Sequence, residues 1–502
     1  MGETLSLPVW MLLLPFIAAA LAALLPARLA RAVACLAMVG QLGLGVMLLR
    51  TFRDQPDLQG VASWPMLGIF GSTLRLGVDG LSVFLLVAGA ALGLLAVLVS
   101  GAKRPPAFHA WLLLFVGTMA GVLVVQDLLV FYVFWELMLL PALVLILLWG
   151  DADRRKATVP FVVVTLVGSL AMLAVIFAMG AEAHARFGAW NFDLDALAGV
   201  VSTWSASARC WAFAGLVLAF AVKIPLFPLH YWLPAAYTSA PLPAVILLSG
   251  LMAKLGTYGV LRVAMPLFPE QAVAWAPWLA GLAVVGILHG AVLALGARDV
   301  RTVLAYSSFS HLGWIALGIF SLTAEGLGGA MLQQVGHALV TATLFILAAW
   351  ASERQGATHL SRFGGMAATH PWLAAALVFA AMASAGLPGL NGFVGEFLIL
   401  LGAWGLSPWV AFAGGLGVVL GAAYLLWLLQ RMLYGPAVQP APTGPDLGVR
   451  ELAVVLPLLV MMVLFGVRPG LLIDRMKPWS DAYVLRFHKA VPQAALPTGA
   501  HP

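Results

Sequence analysis

The chain has 502 residues, 63% of them hydrophobic and 9% charged, with a formal net charge of +6. Its mean hydropathy is +1.02. Soluble domains are about a quarter charged, so a soluble fold of this length is excluded and an integral membrane protein is expected.

Spanning helices need roughly 20 apolar residues each. Fourteen candidate spans follow in chain order, near residues 5–25, 30–50, 79–100, 108–125, 127–149, 159–180, 210–226, 241–264, 274–296, 303–322, 327–350, 371–404, 408–433 and 450–467. The first, "LSLPVWMLLLPFIAAALAALL", is long enough to span, so it is read as a helix and not as a cleaved leader. Asp79 and Asp127 stand where helix N-caps belong. The seventh span is interrupted by Pro225 and Pro228, and the twelfth by Gly386, Pro388, Gly389 and Gly392. The glycine-rich "GGLGVVLG" from Gly414 to Gly421 is wholly apolar and reads as helix packing, not as a phosphate loop. Cys35 and Cys210 both lie in apolar runs and form no CxxC or Cys/His cluster, so no iron–sulfur, haem or zinc site is expected.

Loop charges predict orientation. Arg28, Arg31, Lys103, Arg104, Arg154, Arg155, Lys156, Arg298, Arg301, Arg354, Arg362, Arg431 and Arg450 fall in one set of alternate loops. Arg50, Arg53, Arg75, Arg186, Arg209 and Arg262 fall in the other, with five more basic residues in the tail, among them Lys489. The richer set is expected to face the cytoplasm, which puts both termini in the periplasm of a bacterial cytoplasmic membrane.

Few ionisable residues remain inside the spans: Glu136 in "FYVFWELMLLP", Lys223 before "IPLFPLHYWLP", Lys254 in "LLSGLMAKLGTYG", Glu396 after "AGLPGLNGFVG", and His289, His311 and His337. Charges at membrane depth are costly and mark ion pathways. Each has an alternative role: a static Glu136–Lys223 pair, a snorkelling Lys254, a capping Glu396, packing histidines. A row of groups that each gain and lose a proton accounts for the whole set. Helix breaks at membrane depth are tolerated where the backbone lines a cavity or is buried in protein, and transporters place them at ion sites. Two broken helices five spans apart, each beside a charge, predict two inverted five-helix repeats.

These residues carry a resemblance. "VDGLSVFLL", "DLLVFYVFWELMLLPALVLILLWG", "KIPLFPLHYWLP", "LAYSSFSHLGWIALGIF", "ASAGLPGLNGFVGEFLILLGAW" and "QRMLYGP" are similar to the antiporter-like subunits of respiratory complex I, most closely the subunit-M type. The resemblance implies an all-α integral membrane protein of about fourteen helices. Its parts are N-terminal helices in 1–107, a first repeat in 108–264, a second in 265–433, and a last helix and tail in 434–502. It implies a proton relay of Glu136, Lys223, Lys254, His311, His337 and Glu396, with His230 and His289 as secondary members. It also implies no cofactor in this chain. NADH, FMN, iron–sulfur clusters and quinone belong to partner subunits, and the neighbours are other membrane-arm subunits and lipids. A glutamate at 396 favours the M type over its sisters, and the tail after Val467 is too short for the lateral helix of the longest sister. The family commonly has "WLPDAH" where this chain has "WLPAAY", so an acid and an imidazole are replaced by Ala235 and Tyr237. Alternatives are an Mrp-type cation/proton antiporter subunit, a membrane arm of a hydrogenase or bicarbonate-uptake complex, and a non-conducting scaffold.

Overall fold

The computed structural model describes residues 6–101, 103–438 and 441–490. Apolar runs of spanning length become helices because a helix satisfies its own backbone where no water can. In chain order these are α1 (Leu7–Leu24), α2 (Ala27–Thr51), α3 (Val83–Leu98), α4 (Pro106–Val124), α5 (Leu128–Trp149), α6 (Arg154–Phe187), the short α7 (Leu194–Val201) and α8 (Ala206–Lys223). There follow α9 (Trp232–Ser239), α10 (Leu242–Leu267), α11 (Pro269–Gly296), α12 (Val300–Phe320), α13 (Ala324–Gln355), α14 (Pro371–Ser384) and α15 (Asn391–Leu406). The last three are α16 (Pro408–Tyr434), α17 (Val449–Val467) and α18 (Gly470–Ala490). Among the described residues, 12 helices are long and apolar enough to cross a membrane. α3 and the interrupted pair α14 and α15 are the shorter apolar helices at the other two expected spans.

Both expected interruptions are present. α8 ends at Lys223, and turns through Leu226–Leu229 lead to α9 at Trp232. The prolines in between carry no amide hydrogen to extend the helix. α14 ends with the Leu387 amide donating to the Met382 carbonyl at 3.1 Å and Gly386 at φ +74°. That left-handed residue after the last turn is the usual glycine stop, and α15 begins at Asn391.

The structure adds two elements that hydropathy does not predict. Strands β1 (Gln59–Leu67) and β2 (Ser72–Val78) form an antiparallel hairpin with Ala62 opposite Leu76 and Trp64 opposite Leu74. Gly71 turns it at φ +57°. The stretch after Val467, read as a tail, contains the amphipathic α18; the part of the tail beyond Ala490 and the Lys489 side chain lie outside the described residues. One sequence reading is corrected. Arg262, assigned to a loop, lies within α10 with its side chain 12% exposed, because Asp79 and Tyr258 supply partners that let a guanidinium stay buried.

The chain forms two compact units. One comprises the chain up to Ile224, Leu251–Ala276 and the stretch from Arg475; the other comprises Pro225–Gly250 and Pro277–Asp474. In the first, α1 packs on α2 and α4, and α6 packs on α8. In the second, α13 packs against α12, α14 and α15. Lipid provides little hydrophobic drive between helices, so close contact of small residues substitutes for it. A Cβ on Gly329 of α13 would meet the Ile399 nitrogen and Leu398 Cβ of α15, each at 2.8 Å. α10 is wholly buried within the protein, whereas α2 and α17 present most of their surface outward. The central helices are therefore the ones able to carry charge away from lipid.

Candidate functional site: buried ionisable groups of the two units

In the first unit the site centres on the C-terminal end of α8. Lys223 is 1% exposed. Its Nζ has no hydrogen-bond acceptor among the described residues and lies 4.9 Å from the centroid of the Trp135 ring. Trp135 is itself wedged between Phe131 and Phe220, at centroid distances of 5.7 and 5.4 Å. Glu136, the next residue on α5, feels the Lys223 charge and lies within hydrogen-bonding reach of Ser169 on α6. The pair thus shares an electrostatic field without a direct hydrogen-bonded salt bridge. A lysine held by an aromatic face and a nearby carboxylate keeps its donors available.

α10 reaches this point because Gly256 has no side chain. A Cβ there would stand 2.7 Å from the Ile224 nitrogen and 2.9 Å from the Phe220 carbonyl oxygen. The close approach brings the helix of Lys254 onto the end of α8. Lys254 is fully buried, on a seven-residue α-helical stretch, Ala253–Gly259, set between two π-helical stretches, Leu248–Met252 and Val260–Ala264. Such wide turns recur at functional sites.

In the second unit α12, α13 and α15 converge on Glu396. His311 Nδ1 is 3.3 Å from Glu396 Oε1, and its Nε2 is 3.1 Å from the Ser384 hydroxyl at the last residue of α14. The His337 ring lies 5.5 Å from the His311 ring, centre to centre. Gln333 Nε2 approaches the same Glu396 oxygen at 3.5 Å. All of these are buried. A carboxylate and two imidazoles beside a helix break are therefore in place, a grouping that spacing along the chain alone did not reveal.

The secondary pair also meets. His230 stacks flat on Phe309, centroid separation 4.2 Å and 7° between planes, with His289 edge-on at 5.3 Å. Tyr237, in the position where the resemblance implies a histidine, is fully buried and donates its hydroxyl to the Leu248 carbonyl at 3.2 Å. Asp127 caps α5 as expected, accepting from Leu129 and Val130. Asp79 is not the N-cap of α3, a place Ser82 takes; it lies in the turn before, where it accepts from the Leu81 and Ser82 amides and also binds Arg262 at 2.6 Å. Sequence reasoning missed that ion pair. Its one visible signal was the spacing of Lys254, Tyr258 and Arg262, four residues apart on one helix face.

Buried acids, lysines and imidazoles on central and interrupted helices define a polytopic membrane protein of the ion-translocating kind. The family described as NADH:quinone oxidoreductase/Mrp antiporter, TM, matches residues 125–421, and the chain belongs to it. It is 35% identical to NADH-quinone oxidoreductase subunit M of Pseudomonas aeruginosa, over 93% of this chain and 95% of the relative. It is 34% identical to the subunit of that name from Escherichia coli, over 84% of each. A chain of respiratory complex I from Thermus thermophilus with bound NADH superposes with a TM-score of 0.87 at 36% identity, covering 96% of this chain and 99% of that one.

Proposed function

We propose that the chain is the proton-translocating, M-type membrane-arm subunit of an NADH–quinone oxidoreductase. The observation that carries this reading is the buried Glu396–His311–His337 cluster at a helix break. The Glu396 carboxylate stands 3.3 Å from His311 Nδ1, within ion-pairing distance but without hydrogen-bond geometry, so a small shift of either side chain makes or breaks a proton-transfer contact. In a chain that is similar to subunit M over nearly its full length, it supports a pump.

In this reading Glu136, Lys223 and Lys254 carry protons in the first unit, and His311, His337 and Glu396 in the second. Glu136 sets how strongly the buried Lys223 holds its proton. The Trp135 ring, held by Phe131 and Phe220, covers one side of Nζ and offers no acceptor there, so Lys223 releases its proton only when its carboxylate partner is neutralised or moves. The subunit is a non-redox translocase. NADH, FMN, iron–sulfur clusters and quinone sit in partner subunits, and neighbouring antiporter-like subunits flank it with lipid. Two inverted repeats, in 108–264 and 265–433, are supported by the two helix breaks, each beside an ionisable group. The loop charges support a cytoplasmic-membrane location with both termini periplasmic.

The test uses the assembled complex in liposomes. Lys223→Ala and Glu396→Ala lower NADH-driven acidification severalfold while a native gel still shows the whole assembly. Unchanged pumping in assembled Lys223→Ala overturns the mechanism. Recovery of Mrp-type partners alone, without NADH-oxidising subunits, replaces the driver with an ion gradient.

A further inference from the structure

We infer that Lys254 has a gated route for protons to the face that bears the β-hairpin, closed by the Arg262–Asp79 pair. The inference rests on Lys254 being a proton site. Three observations carry it.

The first is a polar stripe. Lys254, Tyr258 and Arg262 recur at four-residue spacing on α10, a largely buried helix whose other polar residues are Ser249 and Thr257. Arg262 Nε donates to the Tyr258 hydroxyl at 3.1 Å, and that hydroxyl donates to the Leu123 carbonyl at 3.0 Å. The second is a cavity of about 410 Å³ at the far end of the stripe, lined by Arg75, Asp79, Gln126, Asp193, Arg262 and Tyr483. It is the right size and polarity to hold water. The third is Tyr483, 5% exposed, which lines this cavity and whose hydroxyl, closed off from solvent, has no protein partner among the described residues. Buried hydroxyls are normally satisfied, so this one leaves a polar donor unmatched at that wall of the cavity.

The stripe therefore runs from a buried lysine to a polar cavity large enough for water, with one ion pair across it. Asp79 and Arg262 at 2.6 Å form the closure. A proton leaving the Lys254 ammonium passes through water to the Asp79 carboxylate. Lys254 is left neutral and Asp79 becomes a neutral acid. Asp79 then no longer attracts Arg262, the pair parts, and the proton passes to water in the chamber, restoring the carboxylate and the closure. Arg262 keeps its charge throughout. A purely structural staple would also place these residues together, and the experiment separates the two.

The whole complex is reconstituted in liposomes and a pH gradient is imposed without NADH. Asp79→Asn raises the passive proton leak severalfold, and adding Lys254→Met returns it to the wild-type level. An assembled Asp79→Asn complex with wild-type leak, or a leak that survives Lys254→Met, overturns the route. If Asp79→Asn does not assemble, Arg262→Lys, which keeps the charge but loses the fork, is measured with the same expectations. As an independent measurement, Tyr258→Cys in a chain carrying Cys35→Ala, Cys210→Ala and Asp79→Asn, where the closure is removed, reacts with a small membrane-impermeant methanethiosulfonate added on the hairpin face faster than the same chain with Asp79 intact. Equal rates overturn the closure. The underlying reading fails separately, if Lys254→Met alone leaves NADH-driven pumping intact.

Discussion

Shortening Glu396 by one methylene isolates the His311 contact from the rest of the second unit. The measured separation is 3.3 Å. For unit charges at an effective dielectric of 20, that corresponds to about 5 kcal/mol of attraction when His311 is protonated. Glu396→Asp withdraws the carboxylate by about one C–C bond, ~1.5 Å, and the same arithmetic gives about 3.5 kcal/mol. The loss of about 1.5 kcal/mol corresponds to roughly a tenfold weaker charge pairing. The space around Glu396 does not refill easily, because Gly386 and Gly395 pack beside Glu396 and Gln333, respectively. Glu396→Gln keeps the shape and removes the charge altogether. In assembled complex in liposomes, the expected order of NADH-driven proton pumping is wild type, then Glu396→Asp, then Glu396→Gln, with NADH oxidation in uncoupled membranes preserved. Equal pumping by all three would refute the claim that the His311–Glu396 charge pair is on the proton path. Asp equal to Gln would refute the distance argument alone.

Gly256→Ala places a Cβ against Ile224 and Phe220, and overpacking of this kind costs about 1–3 kcal/mol; a lower thermal midpoint of the assembled complex together with reduced pumping is expected. His230→Phe retains the flat stack on Phe309, so pumping stays within about twofold of wild type; a tenfold loss, about 1.4 kcal/mol on a rate, would make His230 a relay member. Outside the membrane, Asp446 accepts from the amides of Trp372, Leu373 and Leu447 at 2.7, 3.0 and 2.7 Å and so ties the start of α14 to the loop before α17. Burial opposes its ionisation, but those amides outweigh it and hold the carboxyl below its ordinary range. Its stabilisation is thus complete above the unfolded value of about 3.9 and is lost as pH falls through the lower folded value. With its partial exposure screening the charge, Asp446→Ala should speed hydrogen exchange at Trp372 and Leu373 about fivefold, or about 1 kcal/mol, at neutral pH; no change would show that the cap contributes nothing.

The membrane class, the spans and both helix interruptions were legible in the chain because they depend on local properties. Apolar run length decides whether a helix crosses, and Pro225, Pro228 and Gly386 act on the backbone where they stand. The ionisable residues were legible for the same reason, since Lys223 or Glu396 in an apolar run is conspicuous without knowing its neighbours. Their company was not. His311 meets Glu396 across 85 positions of sequence, and α13 and α15 come close enough only because Gly329 and Gly395 leave room. Arg262 shows the limit most plainly. A basic residue near the end of an apolar run looks like a loop charge, and it stays in the helix only because Asp79 arrives from 183 residues away to neutralise it. The hairpin was likewise invisible, because its short strands lack the apolar length that signals a span and are defined by pairing with each other. Run length and backbone chemistry are properties of one segment, whereas a buried charge needs a partner that only the packing of distant segments supplies.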